Sequence, residues 1–399
     1  MAFSSGARRD LYYRAESSFG VFDAGNMTQL RNTDDSLSLT RDSVVSDERR
    51  GDRGIHDVRL GNKQPGGDIG FEFSYASFED FMSAALFANW GTGSPYDSGV
   101  GGLGHGSGLT VEVTVAATAG TVTRASGSWL SDGVYPGDAI TFSEFVNAGN
   151  NNEFYVRSVT PTVITLYDPD DLLVDEVLAS GLKATTSARE IRKGTIKKFF
   201  SIEKGFADIG QYWLFLGSMV NTFNLSITPN AMVTGTFGLV CRDMTKSTSS
   251  SKGTPIVANS NRPFDAFTGK IFEGGSTISI VSSLDMTLDN GLERNFALMA
   301  DTAPNITSGK SNITGNMSLY FEDDAVFTKF ANETESAIAW RLTDDENNGY
   351  YFHLPRIKYT TGDAPVNADG AIMVSMAWQA LDDPTELTNI IIRKQPAVV

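Results

Sequence analysis

The chain has 399 residues, of which 41% are hydrophobic, with 39 glycines and 25 phenylalanines. This length predicts two or three domains, and the glycine content favours β-rich domains with many turns. The formal net charge of −16 excludes a protein that grips nucleic acid through a basic surface. The single cysteine, Cys241, excludes a disulfide within the chain.

The N-terminal residues 1–35 are polar and weakly periodic, which predicts an arm that a partner subunit holds in place. The charged stretch Ser43–Asn62 has two interpretations. It is either a solvated surface loop or a loop that reaches a neighbouring subunit. No apolar run reaches the roughly 20 residues that a membrane-spanning helix needs, so no insertion into a membrane is expected.

A strand and a helix follow in Gly66–Trp90. Residues 67–73 alternate with Ile69, Phe71 and Phe73 on one face, which predicts a strand with one buried face. The apolar spacing then becomes helical, which predicts a helix whose apolar side packs on the sheet. The residues of this predicted stripe are Phe78, Phe81, Met82 and Leu86.

The glycine-rich stretch 91–108 contains a G-x-G-x-x-G pattern at Gly99, Gly101 and Gly104. An alternating strand follows it instead of a helix, so a hinge is favoured over a nucleotide site. Short strands separated by turns predict a small all-β domain at 109–187, inserted into the surrounding domain. An acidic cluster near its end lacks the glycine of a calcium loop and is interpreted as a solvated turn.

The first domain resumes at 188–245, and a serine-rich linker covers 246–270. The strand and helix then recur, with Met317, Leu319 and Phe321 at the positions of Ile69, Phe71 and Phe73. The order of strand, polar loop, strand, helix and hairpin occurs twice, which predicts a tandem duplication. The second copy covers 271–384, a tail covers 385–399, and the first copy is discontinuous over 36–108 and 188–245. The second helical stripe is Val326, Phe327 and Phe330.

Catalytic and metal-binding patterns are missing from the sequence. The histidines at positions 56, 105 and 353 do not lie at metal-ligand spacing, and neither a P-loop nor a hydrolase motif occurs. Paired acidic residues lie at predicted turns and helix starts, where aspartate is favoured for local reasons. We therefore expect no enzyme, metal or cofactor, and interpret the chain as a structural building block.

Four stretches of the first copy resemble the tail tube (major tail) proteins of bacteriophages with long, non-contractile tails. The similar stretches are Arg14–Gly20, Gly67–Tyr75 with its helix, and Ser201–Tyr212, together with Gly217–Phe237. The second copy matches this family by layout more than by motif. The resemblance implies a mainly β (α+β) fold, with two tandem β-sandwich or barrel domains, each flanked by a helix. The inserted all-β domain departs from the family pattern and should face outward.

The resemblance also implies a function in the virion. Tail tube domains join their inner sheets around a lumen, and the rings stack into a tube that delivers DNA. With two domains per chain, three chains would complete a pseudo-sixfold ring. Expected partners are further copies of the chain, the tape measure, tail terminator and distal tail proteins, and DNA only in transit. The protein would be made in the host cytoplasm and located in the tail.

Residues opposite the apolar strand faces are the candidates for the lumen, where carboxylates would repel phosphate at short range. They are Asp68, Glu72, Asn316, Ser318 and Glu322. Contact with the next ring or with water is the competing interpretation of these faces. A carbohydrate-binding, adhesin-like module is the alternative function. In that case Trp129, Tyr135 and Tyr155 of the insertion would stack on sugars, unless they are core aromatics.

Overall fold

The computed structural model describes residues 3–49, 51, 54–91, 113–129, 134, 138–168, 171–179, 181–186, 189–274, 276–322, 325–346, 348–363 and 371–395. The fold is mainly β, as the sequence predicts. The helices are α1 (Glu79–Ala85) and α2 (Ala325–Ala331), with short 3-10 turns at Gly6–Arg8, Ala117–Ala119 and Ala148–Asn150. Within these ranges, no helix has the length and apolar character needed to cross a membrane.

The strands occur in the following order. They are β1 (Arg9–Ala15), β2 (Thr28–Gln29), β3 (Asp34–Asp35), β4 (Ser38–Val45), β5 (Val58–Glu72), β6 (Val113–Ala116), β7 (Thr121–Arg124), β8 (Ala139–Ser143), β9 (Glu153–Val159), β10 (Val163–Tyr167), β11 (Glu176–Leu178), β12 (Lys183–Thr186), β13 (Arg189–Arg192), β14 (Phe200–Phe206), β15 (Gln211–Ile227), β16 (Thr234–Val240), β17 (Asp243–Ser247), β18 (Lys270–Glu273), β19 (Ser276–Thr277), β20 (Val281–Asp289), β21 (Glu293–Asn295), β22 (Asn305–Thr307), β23 (Asn312–Tyr320), β24 (Ser336–Thr343), β25 (Gly349–Asp363), β26 (Met373–Ala380) and β27 (Ile391–Gln395).

The chain divides into two compact units. The first unit comprises Met1–Ala88, Lys193–Ile338 and Leu354–Asn389, and the second comprises Asn89–Arg192, Ala339–His353 and Ile390–Val399. Strands β24 and β25 contribute residues to both units. The second unit therefore contains more than the predicted insertion at 109–187.

The first unit contains two large antiparallel sheets around an aromatic core, besides the two-stranded sheet β21–β22. One sheet has the order β2–β1–β14–β15–β17 and uses the first half of β15. The other has the order β4–β5–β16–β15–β20–β23–β26–β25 and uses the second half of β15. The Phe71 ring lies 4.6 Å from Phe237 and 4.4 Å from Phe78. Alternation along each strand thus directs the large side chains to one face.

Helix α1 follows β5 where the apolar period changes from two to about 3.6. Glu79 and Asp80 place negative charge in its first turn, where it offsets the partial positive charge of the helix N-terminus. Its Phe81 ring lies 5.0 Å from Phe200 of one sheet and 5.3 Å from Phe237 of the other. All four residues of the predicted stripe are at most 2% exposed, namely Phe78, Phe81, Met82 and Leu86.

The second unit contains a seven-stranded antiparallel sheet in the order β11–β6–β7–β10–β9–β8–β12. Its core includes Trp129, Phe142 and Phe154. A further set of strands pairs β27 with β13 on one side and with β25 on the other. Arg393 of β27 is 4% exposed, donates to Glu190 over 2.8 Å and lies 3.7 Å from Asp138. Within the predicted C-terminal tail, β27 is thus an interior strand with a buried ion pair.

The same layout occurs twice along the chain. A helix follows β5 and β23, and a long strand, β15 or β25, follows each helix. β16 pairs with β5 and β15, and β26 pairs with β23 and β25. The register shifts between Val220 and Thr222 of β15 and, at the matching place, between Tyr359 and Thr361 of β25. A β-bulge, which is a specific local feature, therefore occurs at the same place in both stretches, and the tandem duplication stays a prediction.

Two sequence expectations differ from the structure. Part of the expected arm belongs to the fold, since β1 pairs with β14 along its full length, and Leu11 and Met27 are buried. The alternation of apolar residues in β1 supplies this buried face. In the second copy, Phe321 is 47% exposed and Phe327 of α2 is 40% exposed, while Val326 and Phe330 are half-buried. The second helical stripe is therefore not buried like the first.

Phe71→Ala should lower the free energy of unfolding by about 3–5 kcal/mol, because truncation leaves a cavity among stacked rings. Urea unfolding followed by tryptophan fluorescence would measure this loss. Phe267→Ala is the matched control, since Phe267 is 70% exposed, and it should change stability by less than about 0.5 kcal/mol. Equal effects of the two substitutions would contradict the core assignment.

Candidate assembly interface

The two copies are joined by backbone hydrogen bonding within the chain. The second half of β15 pairs antiparallel with β20, from Thr222 opposite Asp289 to Ile227 opposite Leu284. Ser226 Oγ also donates to Asp285 over 2.6 Å across this junction. The sheets of the two copies thereby become one continuous sheet.

The junction is formed by β20 and the second half of β15, and each has an equivalent strand in the other copy. In the described structure, the outer edge of each equivalent strand has no strand partner. β20 has β15 and β23 as neighbours, whereas its equivalent β4 pairs with β5 alone. The second half of β15 has β16 and β20 as neighbours, whereas the second half of β25 pairs with β26 alone. An unpaired strand edge is a template for another chain.

The face of the continuous sheet opposite the aromatic core is polar. It holds four of the predicted lumen residues: Asp68 and Glu72 on β5 are exposed, and Asn316 and Ser318 on β23 are half-buried. Glu322 is also exposed but follows the end of β23. Ser375 Oγ donates to Asn316 Oδ1 over 2.9 Å on this face.

Sequence reasoning missed further acidic residues on the same face, because their strands were not assigned in register. Asp34 pairs with Gly70, and Asp285 pairs with Asn316, so both share the polar face by cross-strand register. Lys358 shares this face by strand parity and lies 3.5 Å from Glu333. Together with Asp68 and Glu72, the two aspartates place four carboxylates on this face, spread over β3, β5 and β20.

The hairpin of β4 and β5 carries apolar side chains into solvent. Its outer part, 43–62, is the charged stretch for which the sequence leaves two interpretations open, a solvated surface loop or a loop that reaches a neighbouring subunit. The exposed residues are Val44, Val45, Ile55, Val58 and Leu60, with exposures of 44–73%. Single exposed apolar residues are common on protein surfaces, whereas contiguous apolar patches mark interaction surfaces.

A second hairpin, β21–β22, occupies the matching place between β20 and β23. Leu298 and Met299 in its loop are fully exposed at 95% and 105%. Asp301 of this loop accepts a backbone hydrogen bond from Lys63 over 2.7 Å and lies 3.4 Å from its Nζ. The loop of the β21–β22 hairpin therefore contacts β5 of the β4–β5 hairpin.

Three of the stretches that carry the family resemblance meet at the Glu16 carboxylate. Glu16 is 9% exposed. It accepts hydrogen bonds from Gly20 N at 2.7 Å, Ser201 Oγ at 2.7 Å and Gly217 N at 2.9 Å. Gly20 and Gly217 have φ of 71° and 58°, a conformation that favours glycine. The similar stretches thus form one buried hydrogen-bonded centre that links the start of the chain to β14 and β15.

Glu16→Ala should destabilise the chain by about 3 kcal/mol, because it leaves buried donors without an acceptor. Chemical denaturation of the purified chain would measure the loss. Asp23→Ala removes a carboxylate that accepts from Ser17 in an exposed turn and is the matched control. A loss for Glu16→Ala no larger than that for Asp23→Ala would show that the centre is not structural.

The acidic residues that the sequence singled out in the insertion can be placed in the described structure. Among the described residues, no group of three or more His, Cys, Asp or Glu side chains could hold a metal ion. Asp168 accepts the N–H groups of Leu172 and Leu173, and Glu176 accepts those of Val146 and Asn147. The acidic cluster of the insertion is thus used for local backbone bonding. The G-x-G-x-x-G glycines and His105 lie outside the described residues.

The carbohydrate-stacking residues are only partly described. Trp129 is fully buried in the core of the insertion, with the Arg124 guanidinium 4.8 Å from its ring. It is a core aromatic and is not available to stack on a ligand. Tyr135 lies outside the described residues, as does the side chain of Tyr155.

Comparison with known proteins agrees with the fold and with the stretches that meet at Glu16. The sequence profile of a family described as "Phage tail tube protein" matches residues 6–380. No curated protein matches the sequence. The profile covers almost the whole chain, so the protein belongs to the phage tail tube protein family and is a structural protein of the phage tail.

Proposed function

We propose that the protein self-assembles into stacked rings that form the tail tube, through which genomic DNA passes into the host. The observation that carries this proposal is the β15–β20 junction, in which one copy pairs edge to edge with the next. The equivalent edges at the two ends of the continuous sheet, β4 and the second half of β25, would make the same junction between chains. The protein is therefore not expected to act as an enzyme.

The shared bulge gives the register of this junction. Thr361 follows the bulge in β25 as Thr222 does in β15, and Thr40 occupies the place of Asp289. Since Thr222 lies opposite Asp289, we infer that Thr361 of one chain lies opposite Thr40 of the next. A heterologous junction of this kind closes into a ring when the rotation that relates neighbouring chains is a whole-number fraction of 360°. Three chains with two copies each would give a pseudo-sixfold ring.

The polar face would line the lumen. Its carboxylates, Asp68, Glu72 and Asp285 among them, would repel phosphate within a Debye length of about 8–10 Å. The two hairpins with exposed apolar residues would contact the adjacent ring. Tape measure, tail terminator and distal tail proteins are the further partners that a tube of this family implies.

A cysteine pair tests the junction between chains. Thr40→Cys combined with Thr361→Cys should form a disulfide between chains on assembly, because directly opposed strand residues have the required spacing. Non-reducing electrophoresis should show a covalent ladder that ends at three chains. Cys241 should not interfere, since burial raises the pKa of its thiol to about 11 and keeps it protonated.

The matched control combines Thr40→Cys with Thr245→Cys, an exposed threonine on β17, and should give no ladder. A ladder that stops at two chains, or that extends beyond three, would contradict a three-chain ring. Tubes that form without any Thr40–Thr361 cross-link would contradict the edge-to-edge junction itself.

Charge reversal tests the lumen. Glu72→Lys should allow assembly, because Glu72 is exposed, but should slow DNA ejection by about tenfold at low salt through new phosphate contacts. The effect should shrink as salt is added, since screening weakens those contacts. Glu346→Lys, in the exposed turn before β25, is the control. Equal ejection rates in virions carrying the two variants would argue against Glu72 in the lumen.

A further inference from the structure

The linker after the first copy closes the end of that copy with Phe264. Where β5 ends, Phe73 N donates to Val233 O over 2.8 Å. Phe264 then inserts between the two strands, because its N–H donates to Phe73 O and its C=O accepts from Val233 N, both over 2.8 Å. The Phe264 ring lies 5.4 Å from the Phe73 ring. All three residues are fully buried.

Further contacts fix this linker in place. Arg31 donates to Asn261 O over 2.6 Å and to Asn259 Oδ1 over 3.2 Å. Isolated bridges join Ser74 to Pro263 and Met232 to Asp265, on either side of Phe264. The closure of the first copy therefore joins three backbone segments by hydrogen bonds and two isolated bridges.

The same position in the second copy is open. Phe321 and Ile372 correspond to Phe73 and Val233 by the register of β23 with β26, and Phe321 N donates to Ile372 O over 2.9 Å. In the described structure, neither Ile372 N nor Phe321 O has a hydrogen-bond partner. Phe321 is 47% exposed and Ile372 is 37% exposed. We call this pair of residues the open socket.

We call Phe73 and Val233 the first socket, and its occupant, Phe264, indicates the kind of segment that would fit the open socket. Phe264 lies six residues before Lys270, the first residue of β18. β18 pairs with β19 and β24, as β1 pairs with β2 and β14. The segment before β1 is thus the counterpart of the linker, and its Phe3 also lies six residues before the first residue of its strand, Arg9.

Phe3 is available for such a contact. Its side chain is 88% exposed, while Ser4 Oγ and Ser5 N donate to the Asp208 carboxylate over 2.9 and 2.7 Å. Burying an exposed phenylalanine is favourable, and adding a short extended segment to an open strand end supplies backbone hydrogen bonds as well.

We propose that Phe3 of one chain fills the open socket of the second copy of a neighbouring chain, as Phe264 fills the socket of the first copy within the chain. The inference rests on the proposed edge-to-edge junction between chains. Suppose that the second copy of one chain meets the first copy of the next chain as the two copies meet within a chain. The distance from the open socket to β1 of the next chain then equals the distance from the first socket to β18 within the chain. Six residues span that distance in the first case and can reach about 20 Å when extended.

The test places a photo-reactive benzophenone amino acid at position 3 in place of Phe3. Mixed isotopically light and heavy chains are assembled, irradiated and analysed by mass spectrometry of cross-linked peptides. Light-to-heavy cross-links from position 3 to the peptides that contain Phe321 or Ile372 are expected in assembled tubes. The same amino acid at position 267 is the control, since Phe267 is an exposed linker residue outside the first socket, and it should give no such cross-links.

A second variant keeps the result specific. Phe321→Ala should reduce the position-3 cross-link to the socket at least tenfold without removing the Thr40–Thr361 disulfide ladder. A ladder without cross-links from position 3 to the socket, or with cross-links to another surface only, would overturn the socket proposal and leave the junction intact. Failure of the ladder itself would overturn the junction, and with it the basis of this inference.

Discussion

The backbone pairing of β15 with β20 is the interaction on which the rest of the structure depends. β15 is long enough to serve two sheets, with β14 and β17 on its first half and β16 and β20 on its second. Its bulge after Val220 lies between the half that pairs with β14 and β17 and the half that pairs with β20. Because backbone pairing does not depend on side-chain identity, two copies with diverged sequences can form the same junction.

Sequence alone predicted the mainly β fold, the repeated strand-and-helix unit and the polar character of the strand faces. These features follow from alternation and from the change of period at Phe78, which are local signals. It did not predict that residues 9–30 belong to the fold, because β1 is buried only through its long-range pairing with β14. Nor did it place Asp34 and Asp285 on the polar face, since strand register depends on tertiary pairing.

The two copies differ most where contacts with other segments complete them. In the first copy, Phe73 is fully buried and its ring lies 5.4 Å from that of Phe264 in the linker, whereas its counterpart Phe321 remains half exposed. The copies are thus alike in backbone pairing and unlike in how their ends are closed. Among the described residues, the outer edges of β4 and of the second half of β25 have no strand partner, and such edges are templates for pairing with another chain.

Electron microscopy of the purified chain at rising concentration, with no other viral protein present, tests the central claim most directly. The account predicts hollow tubes with a regular axial repeat. A reconstruction should show three chains per ring and a sheet that continues from β25 of one chain into β4 of the next. A ring in which these two strands remain unpaired, with chains joined through other surfaces, would contradict it.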